Sequence, residues 1–520
     1  MDGRLLDLLG DLDRIAGAEA PERADCFGRA EWVRSATEEE IRGLFDALLR
    51  RAPPASEHED ALVHLVLGHI VARGRGDRHG PTAPGVGDQV VEQIVELYRR
   101  WEPGVRARNR LPCVLASERS PAALRALAEL MADDPPDDSD AIASIFAPLL
   151  QNDDYDPRLL FPRLLDALKH ASAAAVALDY MNYLVRQRRM EQHPATERRQ
   201  ELASLLGAVV GRLGQLESLP PDEAEDAAAL SKRVNEGVAL AVSLCDALAL
   251  IGDRSLVGKL YQALELGHRR LRAEAAAALA RLGEEAGAEA LVALAAEPVA
   301  RLRVLAYCDE LGIADRVEER YKTADAKAEA ELALWLAQPS QMGIPPTRCE
   351  LIERRRQHWP GYETPVECFL FRFTYKLGDA EYSNIGITGP LVHAFGADLS
   401  DLPPDDIYAA FAGWQAQHEE IYELDVNQLD GPQNAERARL EARLRSEGCD
   451  AIQPVALGHF LGQWALVART VRHGRPGIAV MDADRLHWFP APANRRPPGP
   501  AEIYCIYKGR KLLRTFNPRD

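Results

Sequence analysis

Three glycines recur at nearly one interval in this chain: Gly252, Gly283 and Gly312, 31 and 29 residues apart. The residues before them fall into columns. One position before comes Ile251, Leu282 or Leu311, and four before comes Leu248, Leu279 or Cys308. Eight before comes Leu244, Ala275 or Val304. Steps of three and four place these side chains on one helix face. Arg272-Ala-Glu-Ala275 and Arg301-Leu-Arg-Val304 occupy matching places. Each unit reads as helix, short turn, helix. The first helix is Ser255–Glu265, with Leu256, Leu260 and Leu264 inward, and the second is Arg269–Leu282. A pair this short cannot bury its apolar stripe alone, so neighbouring pairs must stack.

Helix candidates continue upstream in weaker register: Thr37–Arg51, Glu57–Arg73, Gln89–Trp101, Ala122–Met131, Asp140–Leu150, Arg158–Ala171, Ala174–Arg188 and Thr196–Leu213. The pattern predicts a mostly α chain whose residues 1–339 form an α-solenoid. Residues 270–283, Arg-Leu-Arg-Ala-Glu-Ala-Ala-Ala-Ala-Leu-Ala-Arg-Leu-Gly, resemble the second helix of a HEAT repeat. The period of about 30 resembles the PBS-lyase HEAT-like repeat, most clearly over 241–320. That resemblance implies a protein-interaction scaffold or adaptor, holding a protein partner on the solenoid face. It implies no particular activity, because the repeat serves many roles. Base-excision chemistry and a tetrapyrrole-lyase role are the other readings that the resemblance suggests.

Charge argues against the first of these. The chain has 80 acidic and 62 basic residues, a formal net charge of −18, and such a field repels nucleic-acid phosphates. At 47% apolar and 27% charged residues, a disordered chain is excluded. Met1-Asp-Gly-Arg-Leu-Leu-Asp7 is a poor secretory signal, and no run approaches the ~18 uninterrupted apolar residues of a membrane span. Eight cysteines, at 26, 113, 245, 308, 349, 368, 449 and 505, form no Cys-x-x-Cys pair. Scattered in this way they read as reduced residues of a cytoplasmic protein, with no metal site and no cofactor. Only 8 of the basic residues are lysine, which hints at a GC-rich bacterial genome.

Residues 340–520 hold 19 of the 33 aromatic residues, so a second domain is expected there, with the break near Gln338–Pro346. It reads as α+β with antiparallel strands. Pro365–Tyr375 alternates and turns at Leu377-Gly-Asp-Ala380 into Glu381–Ile387, a hairpin. Strands are also expected at Ile452–Leu457, Gln463–Arg472, Gly477–Asp482 and Leu486–Phe489, and a helix at Asn434–Glu447. Asp405–Glu423 reads as one amphipathic helix, with Ile407, Phe411, Trp414, His418 and Ile421 in one stripe. Ile503–Tyr507 and Leu512–Phe516 read as a closing hairpin.

The candidate binding residues are Trp414, His418, Thr388 and Gly389; no catalytic residue is assigned. His418, beside Glu419 and Glu420, has the chemistry of a general base, or of a histidine held by a hydrogen bond. Ser383-Asn-Ile-Gly-Ile-Thr-Gly-Pro390 leads into Leu391–Phe395, read as a short helix capped by Thr388. Free N–H groups there could hold an anion, or the segment is simply a tight turn. Trp464, Trp488, Tyr504 and Tyr507 could line a ligand groove, though an aromatic β core accounts for them better. The basic loop Arg73–Gly87, the acidic turn Asp133–Asp140 and the linker Gly214–Glu225 read as solvated connections. His58-Glu-Asp lacks the second histidine of a zinc helix, and His64 and His69 read as structural. The alternative to a scaffold is an enzyme or small-ligand-binding activity in 340–520, with the solenoid as docking arm.

Overall fold

The structure is a computed structural model that describes residues 3–15, 30–73, 86–217, 227–416, 418–491 and 496–517. Cys26 and most of the loop 73–87 and the linker 214–225 lie outside these, as does part of the proline-rich stretch after Phe489. The chain is mostly α, with two antiparallel sheets toward its C-terminus. It divides into two compact units, 1–290 and 291–520.

The first unit is a run of helices. They are α1 (Gly3–Ile15), α2 (Glu38–Arg50), α3 (Glu57–Arg73), α4 (Asp88–Arg100), α5 (Leu111–Glu118) and α6 (Pro121–Asp133). Then come α7 (Ser139–Gln151), α8 (Ala171–Arg186), α9 (Arg199–Glu217), α10 (Ala227–Ile251), α11 (Val257–Leu264) and α12 (Arg269–Arg281). One continuous apolar core runs through them from Leu5 to Leu282. Local chemistry sets the ends. Thr37 and Glu40 cap α2 reciprocally, and Ser120 caps α6 ahead of Pro121 at its first turn. Gly252 and Gly283, with φ of 78° and 80°, leave α10 and α12 in the left-handed conformation that ends a helix. The repeating glycines of the sequence are therefore helix stops. The expected helix Arg158–Ala171 is instead two short 3₁₀ segments, Pro157–Leu160 and Arg163–Lys169, because Pro162 interrupts it.

Within α10, Ala229–Ile251 is long and apolar enough to cross a membrane by length and composition, with a mean hydropathy of 1.7. Its Leu244, Cys245, Ala247 and Leu248 are buried, and the helix packs on α8, α9 and α12. Of that apolar window, 44% is buried.

The helix α13 (Glu285–Leu294) spans the division, and α14 (Pro298–Glu310) and α15 (Ala324–Leu336) belong to the second unit. The composition break near 338–346 marks the end of the helical run. The compact unit begins earlier because α15 covers a sheet: Ala328, Leu332 and Leu336 pack on Phe369, Phe371, Phe373 and Tyr375. That sheet is β1 (Arg348–Gln357), β2 (Val366–Leu377), β3 (Ala380–Thr388) and β4 (His393–Ala394), in chain order. After α16 (Pro404–Gln415) comes the second sheet. It consists of β5 (Ile421–Asp425), then α17 (Gly431–Ser446), β6 (Cys449–Phe460), β7 (Gln463–Arg472), β8 (Arg475–Met481) and β9 (Leu486–Pro490). The chain closes with α18 (Pro500–Phe516).

The second unit repeats one arrangement of helix, antiparallel meander and helix: α15, β1–β4 and α16, then α17, β6–β9 and α18, with β5 added as a fifth strand at the edge of the second sheet. The outer helix of the second copy, α17, covers its sheet with Leu440 and Leu444 on Leu466, Ala468, Ala479 and Met481. The inner helices α16 and α18 share one core with both sheets. Tyr408, Phe411, Tyr504 and Tyr507 meet Leu370, Ile385 and Ile387 on one side and Ala465, Val467 and Val480 on the other. The inner helices also share a sequence. Pro404-Asp-Asp-Ile-Tyr-Ala-Ala-Phe-Ala-Gly413 matches Pro500-Ala-Glu-Ile-Tyr-Cys-Ile-Tyr-Lys-Gly509 at Pro, Ile, Tyr and Gly. They run antiparallel, each glycine against the other helix: Gly413 at Cys505 and Gly509 at Ala409.

Three expected elements are different. The segment 503–516 is helix, not hairpin. Pro500 suits a first turn, Glu502 accepts the Gly499 N–H at 2.8 Å, and Ile503, Tyr504 and Tyr507 form a helical stripe. The helix from Asp405 stops at Gln415, and Ile421–Asp425 pairs with the edge of β6, so tertiary pairing overrides the helical pattern. The segment 391–395 carries the short strand β4 rather than a helix, pairing at Gly386 and Ile387. The strand β1 carries no apolar alternation because it is a sheet edge, with charged side chains along its exposed flank.

Candidate functional site

At the edge of the shared core, where Ile478 is still buried and Phe489 packs against it, the inner face of the second sheet runs out from under the helices. On β7 the inward positions are Ala465 and Val467, both buried under the helices, then Arg469 and Val471. Cross-strand pairing extends these into two rows. Gln453, Arg469, Ile478 and Phe489 stand side by side across β6 to β9. Val471 pairs with Pro476, and the Ala491 N–H donates to the Pro476 carbonyl. The inner helix cannot cover these rows, because Pro497-Pro498-Gly499 delays its start to Pro500.

The result is a cavity of 670 Å³. The two rows are its floor, Leu402 with Asp398 and Asp401 its near wall, and Pro497, Pro498 and Ile503 its far wall. This size and apolar lining suit a small organic ligand. Its polar groups are few. Thr470 is already engaged, donating to the Asp450 carbonyl at 2.6 Å. Asp398 accepts the Ser400 N–H at 2.9 Å. Arg469, Gln453 and Asp401 have exposed side chains with no hydrogen-bond or ion-pair partner among the described residues.

A second cavity, of 680 Å³, lies over the corresponding inner face of the first sheet, where Arg372, Glu381 and Ser383 line it with Gly396 and Arg496. Asp398 and Asp401 belong to both cavities.

Four titratable groups meet beside the middle of α18, outside the cavities. Asp482 is 1% exposed and accepts the Tyr507 hydroxyl at 2.9 Å and the N–H groups of Asp484 and Arg485. Lys511 lies 3.0 Å from it and His487 3.6 Å. Burial pushes its carboxyl up, but the neighbouring His487 ring, the Arg485 N–H, Lys511 and the Asp484 N–H outweigh that and hold it far below the usual carboxylate range. The same carboxylate, together with burial, raises the Tyr507 hydroxyl. This network pins α18 to the β8–β9 hairpin. Among the described residues no group of three His, Cys, Asp or Glu side chains could hold a metal ion.

None of the sequence candidates lines the apolar cavity. Trp414 is 49% exposed on α16, and its ring stacks on His393 at 3.9 Å. Burial lowers the His393 pKa to about 4. His418 lies in the turn before β5, off the helix that carries Trp414, and its Nδ1 accepts the Glu420 N–H at 3.1 Å. Thr388 ends β3 and caps no helix, so the anion site expected there has no helix N-terminus. Its hydroxyl is buried without a partner. Gly389, at φ 105°, passes so close to β2 that a Cβ would stand 2.0 Å from the Glu367 carbonyl oxygen. Trp464 and Trp488 lie on the outer face of the second sheet and Tyr504 and Tyr507 on the inner helix, so these four line no common groove.

No family model matches the chain, and no curated protein matches it. Among solved structures it is similar to lipovitellin, described for its lipid–protein interactions, at 14% identity and a TM-score of 0.23. The likeness covers 85% of this chain and 48% of that one, so the chain spans about half that protein's length. A likeness at that score fixes neither fold nor function.

Proposed function

We propose that the chain is a binding protein whose C-terminal α+β domain holds a small, largely apolar ligand over the inner face of its second sheet. The observation that carries this reading is the pair of uncovered rows that floor the 670 Å³ cavity. Apolar surface left open inside a fold gains about 25 cal/mol per Å² when a ligand removes it from water. The test is fluorescence titration of the full chain with 1-anilinonaphthalene-8-sulfonate. Saturable binding is expected in the parent and is lost in Val471→Trp, which fills the cavity, with the unfolding midpoint unchanged. Equal binding by the variant contradicts the reading.

A second reading concerns the helical part as a HEAT-like solenoid that docks a protein partner. The left-handed glycines after α10, α12 and α14 support it, since they end helices at the repeat spacing. So does a groove of 590 Å³ on the first unit, floored by Val91, Val95 and Ala126 and rimmed by Glu92, Glu96, Glu129, Arg99 and Arg100. With a chain charge of −18, the fitting partner presents an apolar side chain flanked by basic residues. A photocrosslinker at Val95 then captures one discrete protein that the charge-reversed rim variant Glu92→Lys/Glu96→Lys releases. Equal capture by both contradicts it.

A further inference from the structure

We infer that the ligand is amphipathic with an uncharged, hydroxyl-rich head. Its apolar part lies over the second sheet and its head in the adjoining cavity over the first. This deepens the ligand-binding reading and rests on it.

The two cavities occupy matching places in the duplicated domain. On the first sheet Arg372 pairs across strands with Ile385, and on the second Arg469 pairs with Ile478. Past those pairs the two sheets diverge. The second continues with Val471 and Pro476, whereas the first continues with Thr374 and Ser383, whose hydroxyls bond each other at 2.8 Å. One copy therefore offers an apolar floor and the other a hydrogen-bonding one. Asp398 and Asp401 line both, so the two cavities adjoin at this pair of carboxylates, and the proposed ligand passes over them from one into the other.

The charges of the polar cavity select against a charged head. Arg372 and Arg496 line it together with Glu381, Asp398 and Asp401, and no ion pair joins the two signs among the described residues. An anion meets three carboxylates, and a cation meets two guanidinium groups. A polyol satisfies both sets, donating to carboxylates and accepting from guanidinium N–H groups. An independent sign lies at the junction. The Ser400 Oγ is buried and has no hydrogen-bond partner. Such a hydroxyl is costly to leave unmatched, and a ligand hydroxyl would supply the missing bond.

The probes share one tail: 1-octanol, n-octyl-β-D-glucopyranoside, octyl sulfate and octyltrimethylammonium, each titrated calorimetrically below its micelle concentration into the full chain. The glucoside is expected to bind about tenfold tighter than octanol and than either ion. Arg372→Ala and Glu381→Gln, both at exposed positions that line the polar cavity alone, abolish that preference while octanol binding persists, which also shows that they fold. If octanol binds and all four heads are equivalent, or an ion binds best, this inference fails and the cavity reading survives. If no probe binds, octanol included, both fail.

Discussion

Gly413 lies against the main chain of Cys505 so closely that a Cβ on it would stand 2.0 Å from the Cys505 carbonyl oxygen. The relation is repeated in reverse: a Cβ on Gly509 would stand 1.8 Å from the Ala409 carbonyl oxygen. Two antiparallel helices can run this close together between two sheets only if each lacks a side chain where they cross. Gly413→Ala and Gly509→Ala should each lower stability by about 2 kcal/mol or more, since the obstacle is backbone and cannot rotate away. Urea unfolding of the full chain, followed by the aromatic fluorescence of the second unit, reads this. A loss below about 0.5 kcal/mol, the scale of an innocuous surface change, contradicts so close a crossing.

Asp482 gives the domain an acid dependence. Its folded-state pKa lies below the unfolded value of about 3.9, so its stabilisation is fully present above that pH and lost as pH falls through the folded pKa. Asp482→Asn should be destabilised by about 3 kcal/mol at neutral pH, because Lys511 and Tyr507 lose a charged acceptor. The gap between parent and variant should narrow steadily below about pH 4. A gap independent of pH would show that the carboxylate charge does not matter.

His193 should act in the first unit at milder acidity. It is 3% exposed. Its Nδ1 accepts the Ala195 N–H at 3.1 Å, which leaves Nε2–H to donate to the Asn182 Oδ1 at 3.0 Å. Both ring nitrogens are thus engaged in the neutral form. Burial lowers the pKa to about 4, against a weaker opposing pull from Asp246. A depressed folded pKa means that stability is whole above about pH 6.5 and falls between there and about pH 4, where the unfolded chain alone takes up the proton. In histidine ring NMR the resonance that His193→Gln removes should titrate near 4, as that of His393 also should. Titration near 6.5 contradicts the buried tautomer.

How much of this was legible in the sequence differs by element. Helices with their own signals read well: Thr37 with Glu40 marks α2, and Asp430 with Gln433 caps α17 in the same way. The hairpins read well wherever alternation and a glycine turn coincide, as in β2–β3 and β7–β8. What failed depended on long-range pairing. The strand β5 looks like a continued helix until the edge of β6 claims it, and β1 shows no alternation because nothing covers its outer flank. The cavity is still harder to see. It arises where α18 starts too late to cover the sheet, and no local pattern at Arg469 or Val471 announces that. One signal was available: Pro-x-(Asp/Glu)-Ile-Tyr occurs at both Pro404 and Pro500, and it betrays the duplicated domain and the helical state of 500–516.

Arg301 supplies a prediction for a repeat position. It is 3% exposed and donates to the carbonyls of Ala295 at 2.9 Å and Ala326 at 2.7 Å, and to Glu329 at 2.7 Å. One guanidinium thereby ties the start of α14 to α15. Arg301→Ala should cost about 3 kcal/mol in urea unfolding, because three acceptors lose a buried charged donor. Arg303→Ala, in the same helix but exposed, should cost clearly less. Equal losses contradict the tie.

The central claim is that the uncovered inner face of the second sheet is a ligand site, and methyl NMR of the full chain with added 1-octanol tests it most directly. The methyl groups of Ile478 and Val471, on the cavity floor, should shift saturably. Those of Val467, on the same strand face but sealed beneath the inner helices, should hold still. No shift at Ile478 and Val471, or equal shifts at all three residues, contradicts the account.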